Sequence, residues 1–141
     1  MVWRKGIYTM KQFLKASLMM LAFFGLNAAA QDWYHDRDLR FRGEEWRAHL
    51  FEHVRMDLDH VESVTGGWRD RQRLDRTRHQ LDDLQYKLHN RVYDEHELNE
   101  VIRDLGRVVT ENRMGPRERD ILNDDRRRME DYRAHHDRWY R

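Results

Sequence analysis

Histidine is the side chain in this sequence with the most evident capacity for chemistry. Nine are present, and His49 and His53 stand four residues apart in a segment of helical periodicity. That spacing puts both imidazoles on one side of a helix. At about 100° per residue, Glu45, Asp57 and His60 fall on the same stripe. Imidazole and carboxylate groups on adjacent turns can hold Zn²⁺, Ni²⁺ or Cu²⁺, so His49, His53, Asp57 and His60 are the candidate metal ligands. The same positions border an apolar face, where an amphipathic imidazole also sits comfortably without a metal. His135 and His136, with Asp131 one turn earlier, form a second and smaller group.

No other constellation suggests a reaction. The chain has no cysteine, and Ser63 is the only serine beyond residue 30. A nucleophile–His–acid arrangement therefore has almost nothing to start from. His96-Glu97-Leu98-Asn99-Glu100 touches the zinc-protease pattern but carries Glu where the second His belongs. The expectation is a non-enzymatic protein with no catalytic residues.

The elements that must position the histidines follow a leader. Arg4, Lys5, Lys11 and Lys15 form a basic stretch without acidic residues, Ala16 to Leu26 is an apolar run, and Ala28-Ala29-Ala30 supplies small side chains. Basic stretch, short apolar core and A-x-A site make the pattern of a cleaved signal peptide over residues 1–30. The apolar run falls well short of the roughly 20 residues that span a bilayer, so no stable membrane span is expected after cleavage. The predicted location is the periplasm or the exterior of the cell. Taking the four basic residues of the leader away leaves 23 Lys+Arg against 26 Asp+Glu, a net charge of −3. Nucleic-acid binding needs a sustained basic surface, which this balance does not supply. Lys87 is the only lysine beyond the leader, against 22 arginines. Arginine pairs bidentately with carboxylates and can knit helices together, although a coding bias explains the same count.

Residues 31–42 show no clean period and are expected to form a flexible N-terminal arm. Residues 43–141 are expected to form one helical domain. Trp46, Leu50, Val54, Val61 and Val64 mark one face of a helix over about 44–64, stopped by Thr65-Gly66-Gly67. A second helix over about 68–88 carries a narrow seam of coiled-coil type: Leu74, Thr77, Leu81, Leu84 and Leu88. Asp94 and Glu97 read as a capping box opening a third helix, whose broad face holds Leu98, Val101, Ile102, Leu105, Val108 and Val109. Pro116 starts the last helix, over about 116–137, which buries Ile121, Leu122, Met129 and Tyr132. The fold class is all-α. Short turns imply about four antiparallel helices in a small bundle, or two helical hairpins laid together.

The stretch from Leu81 to Ala134 resembles a group of small exported helical bacterial proteins of unassigned function, which implies no activity. The chain is also similar, more weakly, to the periplasmic Spy/CpxP-type chaperones and metal-stress sensors, which are exported, helical, rich in charge and poor in cysteine. Met114-Gly115-Pro116-Arg117-Glu118 stands where that family has a Leu-Thr-x-x-Gln helix start, without the Thr or the Gln. The leading expectation is an exported protein that binds a protein partner in the cell envelope. The alternatives are a metal-binding or metal-stress-responsive periplasmic protein and, from the second resemblance, a Spy-like holdase.

Overall fold

The computed structural model describes residues 33–43 and 45–139, so residues 1–30, expected to be a signal peptide, lie outside the described residues. The chain divides into two compact units, one ending at Arg42 and the other running Gly43–Arg141. No β-strand occurs among the described residues, and the chain is all-α.

In the first unit, residues 33–40 are helical (α1), where the sequence suggests a loose arm. Arginines take part in its contacts, so no clean apolar period shows. The Arg37 guanidinium lies 4.6 Å from the Phe41 ring centroid and that of Arg40 lies 5.6 Å from Trp33. Trp33 and Tyr34 meet edge to face at 5.2 Å. Cation–π contacts of this kind leave no mark in a search for apolar spacing.

In the second unit, a 3₁₀ turn over Glu45–His49 leads into α2, Leu50–Val64. The α-helix thus begins later than the predicted residue 44. His49 at the N-cap makes no side-chain cap bond, and a helix start without a cap commonly winds in through a 3₁₀ turn. Next come α3 (Trp68–His89), α4 (Glu95–Glu111) and α5 (Pro116–Trp139). α5 is broken at His135, where φ is −135° and ψ is 17°. α3 packs on α2 and on α4, α4 also packs on α5, and α5 returns to α2.

All six apolar residues of α4 are buried, and that helix lies against two neighbours. Phe51 of α2 meets Tyr132 of α5 edge to face at 5.0 Å. Ile121, Leu122 and Met129 fill the rest of the α5 face. On α3 the seam is narrow but deep, with Leu74, Leu81 and Leu84 at 0 % exposure and Thr77 at 1 %. Val64 departs from its predicted face: α2 ends there, Val64 is 57 % exposed, and Thr65 turns inward instead. The Thr65 hydroxyl donates to the Val61 carbonyl, and Arg71 Nε donates to the Thr65 carbonyl, both at 2.6 Å. Arginine does bridge helices, as in Arg55–Asp82 at 3.1 Å and Arg78–Asp59 at 3.2 Å. Such exposed pairs contribute little each.

The α3–α4 turn shows how sequence encodes a reversal. The Val92 amide donates to the Lys87 carbonyl and the Arg91 amide to that of Leu88, both at 2.9 Å. This is a Schellman closure, with Arg91 at φ 62° in the left-handed position where glycine is usual. The Asp94 carboxylate then accepts the Glu97 amide at 3.1 Å, one half of the capping box expected from the sequence. The Glu97 carboxylate meets Lys87 Nζ at 2.6 Å, and Asp94 meets the same ammonium at 2.9 Å. The one lysine of the domain thereby ties the end of α3 to the start of α4.

Leu105→Ala should destabilise the protein by about 2–5 kcal/mol, the range for large-to-small changes in a core. Leu74→Ala should fall in the same range, because its burial is equally complete; urea denaturation followed by circular dichroism checks both. A second expectation concerns pH. Glu97, and then Asp94, hold the Lys87 ammonium above its ordinary value of 10.5. Lys87, and then the Glu97 amide, hold the Asp94 carboxyl below its ordinary value of 3.8. A raised lysine contributes stability below 10.5 that is lost as pH climbs toward the raised value, and a depressed aspartate contributes above 3.8 what is lost as pH falls further. Lys87→Met should therefore melt below wild type across the window between 3.8 and 10.5, with the difference shrinking outside it. A uniform gap at all pH values would contradict this assignment.

Candidate functional site

The four residues of the histidine stripe do not share one environment. His49 is exposed in the 3₁₀ turn, His53 and His60 are half-buried on α2, and Asp57 is fully buried at 0 % exposure. Successive four-residue steps on an α-helix rotate by about 40°, because the repeat is 3.6 residues. From His49 to Asp57 the stripe has walked out of solvent and onto the side that carries Val54, Leu58 and Val61. The His49 and His53 rings lie 6.1 Å apart, tilted by 36°, and His49 Nδ1 lies 3.3 Å from a Glu52 carboxylate oxygen. Among the described residues no three His, Asp or Glu side chains come together in a grouping that could hold a metal ion.

The C-terminal pair also separates. His135 Nδ1 lies 3.0 Å from an Asp131 carboxylate oxygen, while the His136 ring stacks on Tyr93 with centroids 3.9 Å apart and planes within 9°. The backbone break at His135 lies between the aspartate pair and the stack. Ser63, the lone serine of the domain, donates to the His60 carbonyl at 2.6 Å.

A concave site does form elsewhere, between α3 and α4. Thr77 and Val108 make its floor, each 1 % exposed. Arg73 and Arg76 rise from α3, and Asp104, Arg107 and Glu111 from α4, around a cleft of about 190 Å³. Arg73 is held in place by a polar latch. Its guanidinium reaches Asp70 and the Asn112 side-chain oxygen, each at 2.9 Å, and Glu111 at 3.2 Å. Asn112, 3 % exposed, returns a bond from its amide nitrogen to the Asp70 carbonyl at 3.0 Å. The Arg113 amide donates to the Asp70 carboxylate at 3.1 Å. The latch joins the first turn of α3 to the end of α4 and fixes one wall of the cleft.

Spacing along each helix shows that Arg73 and Arg76 share a side of α3, and that Asp104, Arg107 and Glu111 share a side of α4. That the two sides face each other follows only from the packing. The chain matches no family model, no curated protein and no solved structure. Among the described residues no helix is long and apolar enough to cross a membrane.

Asn112→Ala removes two side-chain bonds between α4 and α3 and leaves a largely buried latch unsatisfied. It should destabilise the protein by about 1–3 kcal/mol, the cost of stranding buried hydrogen-bonding groups. Denaturant melts compared with wild type provide the measurement.

Proposed function

We propose that this protein is exported to the periplasm or the cell exterior and acts there by binding a protein partner rather than by catalysis. The observation that carries the reading is the outward face of α3. Trp68 at its start is 68 % exposed and Tyr86 near its end is 73 % exposed. Eighteen residues are five full turns, so both rings stand on the same side of the helix, about 27 Å apart. The Arg69 guanidinium lies 5.5 Å from the Trp68 ring and adds charge beside it. Large aromatics beside arginine are the residues that most often anchor protein interfaces. Two such anchors at the ends of one polar face suit a partner that lies along α3.

The leader pattern supports export, and the scarcity of nucleophiles supports binding over turnover. We take α2–α5 to be an antiparallel bundle of two helical hairpins, α2–α3 and α4–α5, with α3 as its presenting helix.

The test is photo-crosslinking in the producing cell, with a benzophenone side chain at position 68 or 86 and, as a control, at exposed Arg127. The expected result is one adduct of defined mass from positions 68 and 86, absent from 127, in the envelope or external fraction, on a chain beginning at Gln31. A chain that stays cytoplasmic removes the export half of the reading. Adducts no different from the control remove the α3 half.

A further inference from the structure

We propose that the cleft between α3 and α4 is a binding site for a compact oxyanion, a carboxylate or phosphate group, with Arg76 and Arg107 as its ligands. The inference goes beyond the outward face of α3 and does not depend on it. The cleft, at about 190 Å³, is far roomier than the roughly 10–15 Å³ one water needs. Its floor is a methyl-bearing surface: Val108, and Thr77 whose hydroxyl is already spent on the Arg73 carbonyl at 2.9 Å. A ligand resting there is shielded on one side, where charge interactions are stronger than in bulk water.

The cleft lining carries three arginines and two carboxylates, and Asp70 behind Arg73 brings the sum to zero, but the pairing is uneven. Glu111 and Asp70 are both met by Arg73. Asp104 lies 3.4 Å from Arg107, a long contact that engages one of five guanidinium N–H groups. Among the described residues Arg76 has no ion-pair or hydrogen-bond partner. Arg76 therefore lines the concave space without an answering carboxylate, and Arg107 keeps most of its N–H groups for a ligand. A guanidinium presents paired N–H groups in a plane, a fork that fits the two oxygens of a carboxylate or phosphate. Arg76 and Arg107 rise from the middle of two packed helices, and the Asn112–Arg73 latch fixes the spacing between those helices. The carboxylates of Asp104 and Glu111, already answered by arginines, border the site and should exclude polyanions in favour of small singly or doubly charged ligands.

Two probes separate the sources of such a group: sodium succinate for carboxylates and sodium phosphate for phosphates. Each is titrated into the full chain as an expressing host delivers it, with NaCl holding the ionic strength constant. Two-dimensional NMR follows the Thr77 and Val108 amides and the Nε–H signals of Arg76 and Arg107. Saturating shifts confined to the cleft are expected with at least one probe, and the probe that saturates first identifies the oxyanion class. Arg76→Gln removes no contact within the protein and should fold as wild type while weakening binding roughly tenfold, the loss for one charge-assisted hydrogen-bonded partner. Arg107→Gln, which also gives up the long contact to Asp104, should weaken binding likewise, and Arg127→Gln on α5 should not. Shifts that rise linearly with both probes, or binding retained in Arg76→Gln, overturn the proposal.

Discussion

Burial of the apolar face of α4 is the constraint on which the rest of the second unit depends. Charged residues make up 38 % of the sequence, so apolar side chains are too few to build more than one layer between helices. α4 carries the broadest share of them, and it is the helix that packs on both α3 and α5. Leu98, Val101 and Leu105 are wholly buried, while α3 contributes only a thin line of leucines against them. Because the hydrophobic effect is non-directional, such a face can drive association without choosing a register.

Register comes from polar groups placed where the layer ends. At the α3–α4 reversal, Lys87 joins the last turn of one helix to the first turn of the next through Asp94 and Glu97. At the opposite end of α3, Asn112 and Arg73 bind α4 back to Asp70. The first combines charged side chains with the Glu97 amide, one of the N–H groups a helix start leaves without a partner, and the second reaches the Asp70 carbonyl and the Arg113 amide. A sliding helix would strand several of these groups at once. The few buried polar residues, Thr77 and Asn112 among them, thus contribute specificity where the apolar layer contributes driving force.

The two proposed binding features inherit their rigidity from this arrangement. α3 needs only one line of its surface for packing, which frees the remainder to present Trp68 and Tyr86 outward and Arg76 sideways. The latch spends Arg73 on structure and so leaves Arg76 and Arg107 to face the cleft. A lysine in place of Arg73 would lack the planar fork needed to reach an amide oxygen and two carboxylates together.

Much of the fold was legible in the sequence. Three-, four- and seven-residue spacings gave the helical face of each segment from Leu50 onward, glycine and proline marked two of the three turns between them, and Asp94 announced a helix start by its cap chemistry. These are local properties, fixed by side chains within a few residues of one another. Where the reading went astray, the decisive contact was of another kind. Residues 33–40 are helical through arginine–aromatic contacts that apolar periodicity does not register. The helix at Leu50 starts late because no side chain caps it at residue 49. The histidine stripe spans different environments for a geometric reason: a four-residue step drifts around the helix, so a set running from His49 to Asp57 passes from solvent into the buried side. The cleft was the least legible feature. Its residues come from helices about thirty positions apart in sequence, and which arginines line it was decided only when α4 packed against α3.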